Sequence, residues 1–524
     1  MNFAYFGRKL EHLHTFFLNH YNFRGFLSRL HSFHFNSFFI QLFYFVILSL
    51  FGYLGLKFFK PRTPVRLNDL DLLYTSVSAS TVSSMAALEM EVFSNSQLIL
   101  LTLLMLFGGE VFTSMLELVF HKFDFTENQS VKNRVSINNA NQIELGLVPI
   151  RQSENHKRSD SNNNVPNGTV ASFNDTNRLL RYNSRRYLKY VVLVYLMVVH
   201  FLGSSLVSLY LSFIPSARMV LKNKGIKIPT FSFFTVVSTF ANCGFIPTNE
   251  NMIVFKKNSG LLLLILPHIF LGNTLYPPCL MLVIKVLKKV TRREEFSYML
   301  KNSKEIGYDH LLSAFHCWHL VATVLGFNLI QFVTFCSMEW NSKNMEGLDL
   351  YQKLVASLFQ VTNVRHAGES VFDLSTMSSA ILVLFVVMMY LPPYTTLLPI
   401  TDHENEAKRD KKSLTDCLVF SQLSCLVIFI IMICITENKS IRDDPLNFNV
   451  LNITVEVISA YGNVGLTTGC SCARQLKPNG KCKDAWVGFS GRWSIKGKFI
   501  LILAMLFGRL KKFNMKGGKA WHLY

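Results

Sequence analysis

Four short segments of the sequence carry residue types that suit the coordination of a bare cation. Each contains a small residue at which the backbone can turn sharply, with a hydroxyl residue six positions before it. The turn residues are Ser84, Gly244, Gly368 and Gly465, and the hydroxyl residues are Ser78, Ser238, Thr362 and Ser459. Glycine permits the unusual dihedrals that aim backbone carbonyls at an ion, and rings of such carbonyls replace its hydration shell in selectivity filters.

The four segments are altered copies of one pattern. They read TSVSASTVSSM at 75–85, TVVSTFANCGFIP at 235–247, FQVTNVRHAGE at 359–369 and EVISAYGNVGL at 456–466. The second and fourth copies also share an asparagine two positions before the glycine, at Asn242 and Asn463. Glycines at helix-packing contacts are the alternative interpretation. The half-length segment that precedes each copy favours re-entrant loops, because irregular backbone at membrane depth must be buried in protein or line a wet cavity.

Composition places these loops in a membrane. The chain has 524 residues, 50% hydrophobic and 16% charged, and several apolar segments reach the roughly 20 residues that a helix needs to cross a bilayer. The lipid bilayer is therefore an expected partner. The net charge of +20 is better explained by basic loops that orient the helices than by nucleic acid, which we do not expect as a partner.

Enzymatic chemistry finds little support in the sequence. No spacing of cysteine and histidine resembles a zinc site, and the apolar segments contain no paired carboxylates or histidine clusters of the kind a membrane-embedded enzyme needs. We predict no catalytic residues, no cofactor and no metal beyond a permeating cation. Cys470, Cys472 and Cys482 share one polar loop, and a Cys472–Cys482 disulfide is one pairing that an extracellular location allows.

The elements that must position the four loops form a repeated unit of span, half-length dip and span. This predicts an all-α membrane protein with eight spans and four re-entrant pore loops. The predicted boundaries are an N-terminal arm at 1–37, repeat one at 38–120, a disordered linker at 121–186, repeat two at 187–290, a linker at 291–309, repeat three at 310–400, a linker at 401–413, and repeat four with a short C-terminus at 414–524.

Lysine and arginine predict the orientation of the chain. The linkers between repeats are basic, which favours a cytoplasmic location for them and, because the number of spans is even, for both termini. The opposite loops are not free of basic residues, as Arg218, Lys222 and Lys224 illustrate.

Two further sets of charges are candidates for the pore. Glu89, Glu250 and Glu369 follow three of the turn residues, and carboxylates around an outer mouth would concentrate cations. Salt bridges or helix capping away from the pore are the alternative. Arg509 lies eleven residues after Lys498, which at about 1.5 Å per residue is about 16 Å along a helix. It either faces the pore at mid-membrane or anchors the helix on the cytoplasmic side.

At this level of detail the chain resembles a known family, the plant high-affinity potassium transporters (HKT) of the Trk/Ktr/HKT group. The matching stretches are TVSSMAALEMEVFSN at 81–95, ANCGFIPTNENM at 241–252, NVRHAGE at 363–369, SAYGNVGLTTG at 459–469 and FGRLKKFNM at 507–515. The resemblance implies a pseudo-fourfold arrangement of the four repeats around a central pore. It also implies a plasma-membrane location and passive permeation of Na⁺, or of Na⁺ and K⁺.

The resemblance also assigns roles to residues. It implies that Ser84, Gly244, Gly368 and Gly465 form the selectivity filter. The serine resembles the Na⁺-preferring subgroup, whose members retrieve sodium and confer salt tolerance, and Arg509 resembles an arginine that projects into the pore below the filter. Cys470 departs from the family, in which an aromatic residue is expected there. A Na⁺/K⁺ symporter, a K⁺-permeable transporter of the same fold and a homodimer stay open as alternatives.

Overall fold

The computed structural model describes residues 37–63, 67–119, 167–395, 422–475 and 484–514, and within these ranges every regular element is helical. The predicted N-terminal arm, the linker at 401–413 and Cys482 lie outside the described residues.

Repeat one consists of two long helical segments with a short helix between them. Helix α1 spans Ser37–Phe58, the short helix α2 spans Asp69–Ser80, and the return is made by α3, Asn95–Gly108, and α4, Glu110–Val119. The axis bends by 58° between α3 and α4.

Repeat two has the same order with one addition. Helix α5 spans Asn167–Phe213, a short α6 covers Pro215–Asn223, and the half-length helix α7 covers Ile228–Ala241. The return helices are α8, Ser259–Leu271, and α9, Tyr276–Thr291, which meet at a bend of 84°.

Repeats three and four complete the series. Helices α10, Glu294–Lys301, and α11, Ser303–Ile306, connect repeat two to repeat three. Repeat three comprises α12, Ala314–Glu339, α13, Leu350–Val364, and α14, Ser379–Tyr390. Repeat four comprises α15, Gln422–Thr436, α16, Asn438–Asp443, α17, Val450–Gly462, and α18, Ile495–Asn514.

Length and composition identify the crossing helices only in part. Phe38–Phe58, Arg178–Phe213 and Ala314–Glu339 are each long and apolar enough to span a bilayer, and the two bent pairs raise the number to five. Helices α14 and α15 are shorter within the described residues. Helix α18 carries several lysines and an arginine. The eight predicted spans thus all have a helical counterpart, although α14, α15 and α18 are not among the five that are long and apolar enough within the described residues.

The order in which the helices pack makes a closed ring. The helix that follows each pore loop packs against the half-length helix of the next repeat: α3 against α7, α8 against α13, α14 against α17, and α18 back against α2. A buried ion pair of 2.7 Å between Lys498 Nζ and Asp71 Oδ1 joins the last repeat to the first. This cyclic packing is the pseudo-fourfold arrangement expected for four membrane–pore-loop–membrane repeats.

Local sequence explains where the half-length helices begin and end. Asp349 and Gln352 form a capping box at the start of α13, and Asn449 caps α17 by accepting a 2.7 Å hydrogen bond from the backbone N–H of Asn452. At the other end, Asn242 and Asn463 adopt the left-handed conformation with φ of 57° and 51°. Asparagine tolerates this region better than most residues, so it ends the helix at the required place.

The linker before repeat two differs from the expectation. The disordered segment was expected to run to residue 186, but α5 already begins at Asn167. The end of this added helical stretch packs against the α10–α11 connection, where the Arg185 Nε group donates to the carbonyl of Ile306 at 2.5 Å and Ser184 is fully buried. Residues 120–166 lie outside the described part of the chain.

Candidate functional site

The four predicted turn residues share one unusual backbone conformation. Ser84, Gly244, Gly368 and Gly465 have φ values of 52°, 89°, 70° and 100°. Each follows the C-terminal end of a half-length helix by only three or four residues. The C-terminus of a helix carries partial negative charge, so four helices that end at this place favour a cation there.

Tertiary contacts bring these residues into one ring. A Cβ atom added to Gly244 would lie 1.7 Å from the carbonyl oxygen of Ala367, and one added to Gly368 would lie 1.9 Å from that of Val464. In the same way Gly465 abuts Ser83 and Ser84. The Cys243 side chain contacts the backbone of Ser84 and closes the circle. We call this closed set of four turns the carbonyl ring.

Three of the loops are held by the same hydrogen bond. The residue before each turn donates its backbone N–H to the carbonyl of the hydroxyl residue identified in the sequence: Ser83 to Ser78, Cys243 to Ser238, and Val464 to Ser459, at 2.8, 2.8 and 3.0 Å. In the third loop the bond shifts by one residue, from the N–H of Gly368 to the carbonyl of Asn363 at 3.0 Å. The alignment of the four copies therefore corresponds to a repeated local geometry.

Loop one is the irregular member of the carbonyl ring. Both Val82 and Ser84 have φ of 52°, although neither is glycine or asparagine. A β-branched residue in the left-handed region is a genuine outlier, so surrounding contacts must hold it there. Asn463 provides one of them, because its Nδ2 group donates to Ser83 Oγ at 2.8 Å and to the carbonyl of Met505 at 3.1 Å.

A second set of glycines was not singled out in the sequence. Gly108, Gly272 and Gly508 lie on the helices that follow the loops, and an added Cβ at each would lie 1.8–1.9 Å from the carbonyl oxygens of Ser80, Phe240 and Tyr461. Each of these carbonyls stands four positions before a turn residue. The available signal in the sequence was the preceding residue, since Gly108 and Gly508 both follow a phenylalanine and Gly272 follows a leucine.

Two of the acidic residues that follow the first and second turns are paired with one lysine. Lys224 Nζ lies 2.5 Å from Glu91 Oε1 and 2.5 Å from Glu250 Oε2. Burial by itself lowers the pKa of Lys224, but the hydrogen bonds to Glu250 and Glu91 outweigh it, so the pKa is raised and the ammonium stays charged. Glu89 accepts a 3.0 Å hydrogen bond from the backbone N–H of Trp486. Glu89 and Glu250 therefore do not form the predicted ring of unpaired acids, because each has a hydrogen-bond partner in the structure.

Glu369 differs most from the expectation for an outer mouth. Its side chain is fully buried, and one carboxyl oxygen is hydrogen-bonded to the Thr239 hydroxyl on α7. Its backbone N–H points to Asn363 Oδ1 at 3.3 Å. The structure thus places this carboxyl behind the carbonyl ring, where it connects loop three with the half-length helix of repeat two.

Arg509 is buried in the described structure, with 1% of its surface exposed. Its Nη2 group donates to the carbonyl of Gly108, at the bend between α3 and α4, and its guanidinium lies 5.7 Å from the ring centre of Phe45. Its neighbour Gly508 lines a cavity. Other lining residues are Glu110, Asn273, Arg365, Tyr394, Tyr461 and Lys511.

The cysteines that follow Gly465 have separate environments. Cys470 is a free thiol that packs at the edge of the apolar cluster of repeat four, so a smaller side chain fills the place of the expected aromatic residue. Cys472 is disulfide-bonded, and the predicted partner Cys482 lies outside the described residues. Across the described ranges, no cluster of three or more histidine, cysteine or acidic residues is arranged to hold a metal ion.

Comparisons with known proteins agree with these observations. A family model described as "TrkH: Cation transport protein" matches residues 180–400 and 394–514. The sodium transporter HKT1 of Arabidopsis thaliana is 50% identical over 482 residues, which cover 90% of this chain and 92% of the relative. The cation transporter HKT1;3 of Oryza sativa subsp. japonica is 49% identical over 497 residues, covering 93% and 92%.

Among solved structures, the potassium transporter TrkH from Vibrio parahaemolyticus matches with 13% sequence identity and a TM-score of 0.47. The match covers 93% of this chain and 85% of that one.

Proposed function

The chain belongs to the HKT cation transporters of the TrkH family, and on this premise we propose that it is a channel-like passive Na⁺ uniporter that prefers Na⁺ over K⁺. As a member of this family it is a membrane transporter of monovalent cations and not an enzyme. The Na⁺ preference, the passive mode, the plasma-membrane location with cytoplasmic termini, and a role in sodium retrieval and salt tolerance are our proposal.

The observation that carries the proposal is the closed carbonyl ring. Three glycines and one serine adopt the left-handed region, and each loop abuts the next. An ion that enters such a ring exchanges water for carbonyl oxygens, and this exchange selects by the number and the geometry of those oxygens. The four helix C-termini add negative potential without a fixed charge that would hold the ion too tightly.

In the proposal, the Na⁺ preference follows from loop one, the one loop whose turn residue is not glycine. Loop one presents a strained serine where the other loops present glycine, so the ring lacks fourfold regularity. K⁺ needs more oxygens at longer range to replace its water, whereas Na⁺ can retain part of its hydration. We therefore assign the filter role to Ser84, Gly244, Gly368 and Gly465, and a barrier role below the filter to Arg509.

Two-electrode recording of the expressed protein tests the proposal. We expect inward current in external Na⁺ and a large negative shift of the reversal potential when K⁺ replaces Na⁺. A reversal potential that depends on both ions with fixed stoichiometry would indicate symport, and equal permeability to both ions would indicate a K⁺-permeable transporter. Epitope access from outside intact cells to residues 121–166 would contradict the proposed orientation.

A further inference from the structure

The buried carboxyl of Glu369 has no role in the ion path described so far. We propose that Glu369 is a positioning residue that carries a proton and, as a neutral acid, donates a hydrogen bond to Thr239 and thereby fixes loop three of the carbonyl ring. This inference rests on the proposed conduction through the ring. It adds a proton-dependent step to that function.

The count of hydrogen-bond donors carries the inference. Thr239 Oγ1 lies 2.8 Å from the carbonyl oxygen of Thr235 and also within hydrogen-bond distance of Glu369 Oε1. A threonine hydroxyl has one proton and two acceptor lone pairs. Within a helix this proton commonly goes to the carbonyl four residues earlier, which is Thr235 here. The contact with Glu369 is then a hydrogen bond only if the carboxyl supplies the proton.

The rest of the Glu369 carboxyl offers nothing that would stabilise a negative charge. In the described part of the chain, Oε2 is buried without a hydrogen-bond partner. Glu456, a buried acid on α17, differs because its Oε1 accepts a 2.8 Å hydrogen bond from the backbone N–H of Ser490. A carboxylate that is buried without donors or a cation costs several kcal/mol, so such a group retains its proton.

The charged and titratable groups nearby do not compensate Glu369. On the outer side, Glu250 is paired with Lys224. On loop three itself, Arg365 donates from Nη2 to the carbonyl of Pro392 at 2.8 Å. From the end of α7, the Cys243 thiol faces Glu369 and is itself buried.

The remaining ionisable group on loop three also points elsewhere. The His366 ring lies about 3 Å from Thr274 Oγ1, on the helix that follows loop two, and packs near Phe270. On α13, Asn363 Oδ1 accepts from the backbone N–H of Glu369 and Gln360 Oε1 accepts from that of Val371, and neither amide carries a charge. Within the described residues, a proton is therefore the only partner that can neutralise this carboxyl.

Deprotonation of Glu369 would affect the carbonyl ring directly, because one peptide bond joins Glu369 to Gly368. Gly368 precedes Glu369 directly and lies against the carbonyl of Val464 in loop four. If Glu369 loses its proton, the Thr239 hydroxyl either faces the carboxylate without a proton between them or turns toward it and gives up its bond to the Thr235 carbonyl, and we expect loop three to shift in both cases. We expect that shift to displace the carbonyl oxygens of loops three and four together.

Recordings at acidic, neutral and alkaline external pH test the inference in the full-length protein. The native current should fall by about tenfold between neutral and alkaline pH. That factor corresponds to a loss of about 1.4 kcal/mol in the free energy of the conducting conformation. Glu369→Gln, whose amide can donate to Thr239 permanently, should keep the native reversal potential at neutral pH and lose the pH dependence. Glu346→Gln removes an exposed charge from the same repeat and should follow the native profile.

Two outcomes of these recordings would overturn the inference. One is a Glu369→Gln variant that retains the native pH profile. The other is a Glu369→Gln variant that reaches the surface without current while Glu369→Asp conducts, because that pattern requires the charge. Thr239→Ser keeps the acceptor and should behave like the native protein, whereas Thr239→Val should reduce the current.

Infrared spectroscopy gives a readout that does not depend on transport. The purified native protein at neutral pH should display the C=O stretching band of a protonated carboxyl. The part of this band that comes from Glu369 should be missing from Glu369→Gln and should disappear from the native protein on alkalinisation. Equal spectra for the two proteins would refute the protonated state. Native protein at the surface without any Na⁺ current would refute the proposed function instead, and the infrared result would still decide the state of Glu369.

Discussion

The Cβ atom of Ser84 fills the space beside the bare backbone of Gly465, since a Cβ on Gly465 would lie 2.3 Å from it. The other neighbouring turns meet differently: Gly244 and Gly368 each lie against a carbonyl oxygen of the next loop. One quarter of the carbonyl ring is thus closed by a side chain on one loop and a glycine on the next. This irregular contact is the basis of the first two predictions.

Replacing Ser84 with glycine should broaden selectivity. The substitution relieves a strained serine with φ of 52° and lets the first loop adopt the geometry of the other three. We expect Na⁺-selective current from the native protein and measurable K⁺ permeability from Ser84→Gly. The measurement is the shift in reversal potential when external Na⁺ is exchanged for K⁺. An unchanged shift would mean that Ser84 does not set selectivity.

A methyl group at Gly465 should abolish conduction. The new Cβ would clash with Ser84 Cβ at 2.3 Å and lie 2.9 Å from the carbonyl oxygen of Ser83. Gly469 provides the matched control, because it also has positive φ, 61°, but an added Cβ meets no atom within 4 Å. Gly469→Ala should lose only about 1–2 kcal/mol of backbone stability and keep its current. Similar currents from both variants would show that contact within the ring is not what matters.

Removing the charge of Lys224 should make the outer surface more attractive to cations. Lys224→Gln leaves Glu91 and Glu250 without their shared partner, and the restored negative potential should raise the current at low external Na⁺. The effect should shrink at high ionic strength because salt screens exposed charges. Lys222→Gln removes an exposed lysine from the last turn of α6, two positions before Lys224, and serves as the control. Equal effects of the two substitutions would indicate a general change of surface charge.

Arg509→Ala should alter conductance or rectification and leave surface expression largely intact. In the proposed function the buried guanidinium imposes a positive barrier on the ion path, and it also donates a hydrogen bond to the carbonyl of Gly108 at the bend between α3 and α4. Lys496→Ala removes an exposed charge from the other end of the same helix and should leave the current-voltage relation unchanged. If Arg509→Ala rectifies like the native protein, Arg509 anchors the helix and does not act on the ion path.

Alanine at Gly508 should destabilise the protein. Its Cβ would lie 1.9 Å from the carbonyl oxygen of Tyr461, so α18 must move away from α17, at a cost of about 1–3 kcal/mol. Gly326 lies within α12 with open space around it, and alanine there should raise helix stability by up to about 1 kcal/mol. The measurement is the thermal midpoint of the detergent-solubilised protein, and a lower midpoint for Gly326→Ala would contradict this account.

The sequence by itself determined the local features of the site. The spacing of the turn residues and their hydroxyl partners predicted four equivalent loops, and the structure places all four turn residues in the left-handed region. Asn242 and Asn463 were visible as a shared feature and end their helices in that same region. Such features are legible in a sequence because backbone dihedral preferences belong to individual residue types and act over a few positions.

Only the tertiary structure decided which partners the charged side chains have. Lys224 reaches Glu91 across 133 positions of the chain, and Arg509 reaches Gly108 across 401. No local pattern encodes such pairings, because they depend on which helices pack together. The same holds for Glu369: one position after a predicted turn, it could face the mouth or the protein interior. The direction was decided by the approach of α7, which supplies Thr239 and removes the carboxyl from solvent.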